Sequence, residues 1–170
     1  MVFAGAESGL YIGAGIGDST VEADGTAPEG TYNFSESDSG YKIFGGYNFG
    51  IVPLIDIAAE ISYVDFGNPS GIFPTNNPIN FKLTGYDAFG LVGFSFGPFG
   101  LFAKAGVIQW DSDSTIGATN SSDSGSDPAY GIGARFQLSS LAIRAEYEVF
   151  DLSGGISDIT MLSVSGVFTF

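Results

Sequence analysis

The segment LAIRAEYEVF, residues Leu141–Phe150, has an apolar face and a charged face. Successive side chains of an extended strand point to opposite sides, so the two faces follow directly from the alternation. The apolar face carries Leu141, Ile143, Ala145, Tyr147 and Val149. The opposite face carries Ala142, Arg144, Glu146 and Glu148. Long polar stretches elsewhere in the chain already meet water, which favours a charged face that points inward and an apolar face that contacts lipid.

The cations follow the same inverted pattern. The chain has 5 Lys and Arg residues, and all of them lie inside apolar segments: Lys42, Lys82, Lys104, Arg135 and Arg144. Four of them lie opposite the alternating hydrophobic side chains, whereas Lys82 has the opposite parity to Asp87 on its own strand. A β-bulge would explain that mismatch, and the register of this strand stays open.

Composition excludes several functions. The net charge of −14 argues against a nucleic-acid partner. The chain has no cysteine and no histidine, which removes thiolate metal sites and the usual base for a nucleophilic serine. Glu146 and Glu148 share a face, but two acids among cations are more simply structural than catalytic. We therefore expect no enzyme activity, no cofactor and no metal site.

Strand-like segments alternate with turns along the whole chain. We predict strands at Gly9–Val21, Ser39–Phe49, Leu54–Phe66, Ile79–Phe96, Phe99–Asp111, Ala129–Leu138, Leu141–Leu152 and Asp158–Phe170. Long polar connections follow the first, third and fifth segments: Glu22–Asp38, Gly67–Pro78 and Ser112–Pro128. Short ones follow the second, fourth and sixth: Gly50–Pro53, Gly97-Pro98 and Ser139-Ser140.

This alternation predicts an all-β fold, an eight-stranded antiparallel up-and-down transmembrane β-barrel. We expect a single domain over residues 1–170, with residues 1–8 as a flexible N-terminal segment, and a secretion signal that has been removed before Met1. The alternation turns one set of charged side chains toward the lumen: Asp56, Glu60, Lys104, Arg135, Arg144, Glu146 and Glu148. Eight strands enclose little space, so we expect these charges to pair with one another.

Two further features lie near the long connections. The stretch Asp111–Asp127 is rich in oxygen donors that could hold Ca²⁺, but it lacks the spacing of an EF-hand, and a solvated loop is the favoured interpretation. Trp110, the only tryptophan, is expected at the membrane interface.

Several motifs resemble the small OmpA-like and OmpX-like outer-membrane β-barrels. These motifs are KIFGGYNF at 42–49, AAEISYVDFG at 58–67, LFAKAG at 101–106 and VSGVFTF at 164–170. The resemblance implies the bacterial outer membrane as location, and a last strand that the barrel-assembly machinery recognises through Val164, Phe168 and Phe170, with Gly166 as a departure. It also implies buried carboxylates and cations, at positions that Glu60, Lys104 and Glu146 match.

From this resemblance we expect a monomeric structural or surface-interaction protein with acidic loops outside the cell and with outer-membrane lipid and lipopolysaccharide as partners. The sequence does not identify the extracellular partner. A narrow or gated pore for small molecules is one alternative. A soluble ligand-binding barrel of the lipocalin type is another, and it would require apolar residues that point inward.

Overall fold

The computed structural model describes residues 8–27, 30–52, 54–67, 70–72, 78–116, 119–152 and 158–170. The described residues form nine strands: β1 (Gly9–Ala27), β2 (Gly30–Val52), β3 (Ile55–Asp65), β4 (Ser70–Ile72), β5 (Pro78–Phe96), β6 (Phe99–Ile116), β7 (Thr119–Leu138), β8 (Leu141–Phe150) and β9 (Ile159–Thr169). The expected N-terminal segment falls almost entirely outside these residues. No helix in the described ranges has the length and hydropathy needed to cross a membrane.

The strands close into a barrel. Their order is β3-β2-β1-β9-β8-β7-β6-β5-β4, and an additional β3–β5 pairing joins the two ends of the sheet. Every pairing is antiparallel. The three-residue β4 pairs only with the first three residues of β5, Pro78 to Asn80, so eight strands form the barrel wall. The predicted eight-stranded up-and-down barrel is confirmed.

The exterior of the barrel carries a continuous apolar band. Ile16 is 74% exposed and Ile61 is 69% exposed, as the predicted lipid face requires. On β2, β3 and β8 the band extends over Tyr41–Phe49, Ile55–Tyr63 and Leu141–Val149. About 9 residues at ~3.3 Å each, tilted by ~40°, span about 23 Å, close to the ~25 Å apolar belt of outer-membrane barrels.

Aromatic rings mark both borders of this band. At one border the rings of Tyr41 and Tyr63 lie 6.2 Å apart and those of Tyr63 and Tyr86 lie 5.1 Å apart. At the other border the rings of Phe99 and Phe136 lie 5.2 Å apart, beside the turns that join β5 to β6 and β7 to β8. We call the first set the tyrosine girdle, and we call the end of the barrel with these tight turns the short-turn end.

The tight turns lie where the sequence predicts them. Gly97-Pro98 and Ser139-Ser140 connect their strands directly, with positive φ angles of 62° at Gly97 and 55° at Ser139. Glycine adopts such a φ without strain, whereas serine does so at a cost. The short-turn end therefore consists of compact hairpins.

Strand β5 has a regular register, so the bulge suggested by the sequence is absent. It pairs without interruption with β6, from Ile79↔Ile116 to Phe96↔Phe99. Asp87 is 5% exposed and points into the lumen. Lys82 is exposed, outside and above the tyrosine girdle. The mismatch in parity arises because Lys82 faces water outside the barrel rather than a charged lumen.

Two of the predicted polar loops are mostly β-structure. Strands β1 and β2 stay paired as far as Ala27↔Gly30, and β6 and β7 stay paired as far as Ile116↔Thr119. The solvated loop expected at Asp111–Asp127 is therefore wrong, because its backbone groups satisfy one another across an antiparallel ladder. The barrel wall continues beyond the apolar band as two long hairpins.

Trp110 does not lie at the membrane interface. It is 2% exposed and its indole Nε1 donates a hydrogen bond to Asp127 Oδ2 at 2.6 Å. Its place on β6 has the same parity as the buried Lys104, so its side chain points inward. The expected interfacial position is wrong because β6 remains a regular strand beyond the apolar band, and its alternation turns Trp110 toward the lumen.

Candidate functional site in the barrel lumen

A layer of three carboxylates and three cations fills the middle of the lumen. Its members, which we call the ionic layer, are Lys42, Glu60, Lys104, Arg144, Glu146 and Glu148. Their charged side chains are at most 5% exposed. The strands that supply them are β2, β3, β6 and β8, so the layer crosses the barrel from wall to wall.

Lys104 lies at the centre of this layer. Its Nζ is 2.6 Å from Glu148 Oε1, 2.9 Å from Glu146 Oε1 and 3.8 Å from Glu60 Oε1. The Phe89 ring lies 4.3 Å from the same ammonium. A buried cation is stable only when desolvation is offset by close opposite charge, and three carboxylates supply it here.

The two other cations complete the pairing. Lys42 Nζ lies 2.6 Å from Glu146 Oε2 and 2.7 Å from Glu148 Oε2. Arg144 makes a two-pronged contact with Glu60, at 2.7 Å and 2.9 Å, and its Nε lies 3.0 Å from Glu146 Oε2. Each carboxylate of the layer therefore contacts at least two cations, and the layer has no net formal charge.

Aromatic rings and glycines fix the side chains of the ionic layer in place. Tyr11 donates a hydrogen bond from its hydroxyl to Glu60 Oε2 at 2.9 Å, and the Phe44 ring lies 4.1 Å from the Arg144 guanidinium carbon. The cross-strand partner of Phe44 is Gly13, where an added Cβ would lie 2.2 Å from the ring. Glycine is required at that position because the ring occupies the space of a side chain.

Asp56 and Arg135 form a separate ion pair nearer the short-turn end. Arg135 Nη2 lies 2.9 Å from Asp56 Oδ2 and 2.9 Å from the Ser95 hydroxyl, which also donates to Asp56. The side chains of Arg135 and Asp56 are 23% and 12% exposed, far more than those of the ionic layer. Water therefore reaches this pair.

A cavity of about 50 Å³ lies between the Asp56–Arg135 pair and the ionic layer. We call it the vestibule. Its polar lining comes from Tyr11, Asn48, Gln137, Arg144 and Thr169, together with the ion pair itself. Ala58, Leu91 and Ala142 are among its apolar lining residues. One water occupies ~10–15 Å³ by this measure, so the vestibule has room for several.

An apolar layer fills the lumen on the other side of the ionic layer. We call it the outer layer, and its members are Val64, Phe66, Leu83, Ile108, Trp110, Ala129, Phe150, Leu152, Ile159 and Met161. Ile108, Phe150, Ile159 and Met161 are 0% exposed. The rings of Phe66 and Phe150 pack edge to face, with centroids 5.0 Å apart. This part of the lumen is packed like the core of a soluble protein.

Asp87 lies between the ionic layer and the outer layer and accepts a hydrogen bond from the Ser62 hydroxyl.

The structure thus divides the lumen charges expected from the sequence into two groups. Five of them, Glu60, Lys104, Arg144, Glu146 and Glu148, lie together, whereas Asp56 and Arg135 pair with each other. Lys42, which the sequence also places opposite the alternating hydrophobic side chains, joins the ionic layer. Asp87 escaped the sequence analysis because its strand register was left open. All members of the outer layer lie within strands that the sequence predicts, but these apolar side chains are not among the lumen residues expected from the sequence.

The residues expected to guide barrel assembly lie on the outside of β9. Val164 is 54% exposed, Phe168 42% and Phe170 73%, and the rings of the two phenylalanines lie 5.1 Å apart. Gly166, which lies between Val164 and Phe168, faces open space, with no atom within 4 Å of an added Cβ. These positions form an apolar strip on the last strand.

Aspartates surround the barrel above its apolar band. Among the aspartates whose side chains the structure describes, five are exposed, and we call them the aspartate belt: Asp18, Asp111, Asp113, Asp151 and Asp158. The belt begins directly above the apolar band, since Asp18 follows Ile16 on the same face of β1. It therefore lies at the level of lipid headgroups.

A closed antiparallel barrel with an apolar exterior, aromatic borders and a charged interior is a transmembrane β-barrel. The family model described as "Outer membrane protein beta-barrel domain" matches residues 1–170, and the chain belongs to this family. It is a bacterial outer-membrane protein. The alternative of a soluble lipocalin-type barrel is wrong, because the apolar residues of the membrane band point outward.

Solved structures of small barrels share the fold. Ail of Yersinia pestis, solved in complex with the heparin analogue sucrose octasulfate, is 18% identical with a TM-score of 0.67, over 96% of this chain and 99% of Ail. Neisserial surface protein A is 14% identical with a TM-score of 0.68, over 96% and 99%. The N-terminal barrel of Pseudomonas aeruginosa OprF is 12% identical with a TM-score of 0.55, over 95% and 98%. No curated protein matches the chain.

Proposed function

We propose that this chain is a non-enzymatic, monomeric outer-membrane barrel with a structural or surface-interaction role and a closed lumen. The observation that carries the proposal is the ionic layer, in which three cations and three carboxylates are buried and mutually paired. Such an arrangement stabilises a filled barrel and leaves none of these six charged groups free to guide a solute.

The paired lumen disfavours the alternative of a narrow pore. A permeating ion would have to separate buried pairs such as Lys104–Glu148, at 2.6 Å, and would gain no hydration in return. Beyond that layer it would meet the outer layer, where dry apolar side chains oppose any ion. Both barriers lie in series along the same axis.

The outer surface supports an interaction role. The hairpins β1–β2 and β6–β7 extend beyond the apolar band and carry the barrel surface away from the membrane. Structural likeness to Ail, which was solved with a sulfated heparin analogue, is consistent with a surface-binding role. The aspartate belt and the net charge of −14 make the chemistry different, because polyanions would be repelled.

Divalent cations offer a way for this surface to meet lipopolysaccharide. The aspartate belt lies at headgroup level, where lipid phosphates are also anionic. Mg²⁺ and Ca²⁺ favour carboxylate and phosphate oxygens and can bridge the two. We propose weak bridging at many positions rather than one tight metal site.

We also propose that the barrel-assembly machinery recognises β9 through its outward apolar strip.

Conductance in planar bilayers tests the closed lumen. The purified barrel should insert and show no steady ion current, and sugar-induced swelling of liposomes should match that of protein-free controls. A steady, reproducible single-channel current from the unmodified protein would contradict the proposal and favour the pore.

A further inference from the structure

Lumen side chains next to the vestibule keep more of their surface exposed than most of those deeper in the barrel. Next to the vestibule, Tyr11, Leu91 and Ala58 keep 8%, 8% and 9% of their surface exposed. In the ionic layer Glu60, Glu146 and Glu148 keep 1–2%. In the outer layer Ile108, Phe150, Ile159 and Met161 keep none.

Charged side chains and apolar packing lie in different layers of the lumen. The ionic layer is buried and its charges are mutually paired, whereas the vestibule next to it has room for several waters. At the level of the outer layer, the Ser19 hydroxyl donates to the Phe66 carbonyl and the Trp110 indole donates to Asp127, so these polar groups already have partners, and the apolar side chains offer water none. Apolar constrictions exclude water and ions even when the space is not completely filled.

We infer that the permeability barrier of this barrel is the dry outer layer, and that the vestibule is a blind, water-filled pocket open only to the short-turn end. This inference rests on the proposed closed lumen and adds where the closure lies. The ionic layer then closes the inner end of the vestibule and holds the barrel walls together, and the outer layer is the main barrier to permeation.

Because the chain has no cysteine, single cysteines report access without background. Ala142 lines the vestibule and Ala129 belongs to the outer layer. Both are lumen-facing alanines on neighbouring strands, so Ala142→Cys and Ala129→Cys form a matched pair. Each would be treated with a small, membrane-impermeant thiosulfonate cation, applied to one face of vesicles that hold the barrel in one orientation.

We expect Ala142→Cys to react from the short-turn side at least about tenfold faster than Ala129→Cys, because a site that needs local opening reacts slowly. Ala129→Cys should resist the reagent from both sides. It should still resist when Lys104→Met and Glu148→Gln are added, since the outer layer stays intact. Lys42→Met with Glu148→Gln provides a second background if the first does not fold.

Two results would overturn the inference. Protection of Ala142→Cys from both sides would show that the vestibule is not open to water. Rapid reaction of Ala129→Cys from the short-turn side, after the ionic layer alone is weakened, would make the ionic layer the seal. In the unmodified protein, Trp110 fluorescence should resist acrylamide, and strong quenching would also refute a dry outer layer.

These outcomes are distinct from failure of the proposed function. Steady current through the unmodified barrel would refute a closed lumen altogether. A closed wild-type barrel with a reactive Ala129→Cys in the weakened background would leave the proposed function intact and refute only the position of the seal.

Discussion

Removal of Lys104 should destabilise the barrel more than removal of Lys104 together with one of its carboxylate partners. Lys104→Met leaves three buried carboxylates with two cations. Loss of one partner from a buried ion pair costs ~3–5 kcal/mol. Lys42 remains within 2.7 Å of both Glu146 and Glu148, which places our expectation at the lower end, about 3 kcal/mol of unfolding free energy.

The double variant Lys104→Met/Glu148→Gln restores the charge balance, with two cations and two carboxylates. We expect it to lose only ~1–2 kcal/mol, which is about 1–2 kcal/mol less than Lys104→Met loses alone. Reversible urea unfolding in phospholipid vesicles, with equal m-values for all variants, measures these differences. A tryptophan signal is available from Trp110.

Lys82→Met is the matched control. Lys82 is exposed and lies across from Asp113, and a surface pair contributes ~0–1 kcal/mol. The reasoning is refuted if Lys104→Met is as harmless as this control. It is also refuted if the double variant loses the sum of the two single losses, because that would mean that Lys104 and Glu148 do not interact.

Three further predictions concern the wall of the barrel and its rim. Ile61→Arg, on the lipid face, should cost ~2–4 kcal/mol in vesicle unfolding experiments, and a cost near zero would remove Ile61 from the hydrocarbon layer. Gly133→Val should cost ~1–3 kcal/mol in the same assay, since an added Cβ would lie 2.3 Å from Phe102, whereas Gly166→Ala should be neutral because it meets open space; equal effects would contradict this packing. Mg²⁺ or Ca²⁺ should increase binding of the barrel to lipopolysaccharide-containing vesicles, and EDTA should reverse the increase; binding indifferent to chelator would exclude bridging by the aspartate belt, and one high-affinity site in calorimetry would replace it with a dedicated metal site.

The membrane-spanning part of the fold could be predicted from the sequence because lipid imposes a strict period of two. Segments such as Leu141–Phe150 satisfy that period on both faces, so strand, orientation and lumen charge follow together. The partners within the lumen could not be predicted. Lys104 and Glu148 are far apart in sequence, and their contact depends on barrel closure and strand stagger, which alternation alone does not define.

The two long hairpins beyond the apolar band could not be predicted for a related reason. Above the tyrosine girdle the same strands carry serine, aspartate and glycine on their outer face, which has the composition of a loop. Ile108 and Trp110 lie inside the predicted strand Phe99–Asp111 and keep the parity of Lys104, which indicates that inward-facing apolar residues replace the charges there. To use that signal, one must expect apolar residues to move from the outer face to the lumen face where the surroundings of the barrel change from lipid to water.

Strand β3 shows this change of sides in a single element. Its lumen face proceeds from Glu60 and Ser62 to Val64, while its outer face proceeds from Ile61 and Tyr63 to Asp65. Below the tyrosine girdle the outside is apolar and the inside charged; above it the inside is apolar and the outside polar. Lipid selects the first pattern and water the second, so the girdle lies where the two solvents meet. A shift of the barrel toward the cell would bring the aspartate belt into hydrocarbon, and a shift away from it would expose the apolar band to water. The first shift would remove charged groups from water and the second would expose apolar surface to water, so both cost free energy. The sequence therefore determines how deeply the barrel inserts and how far its hairpins project.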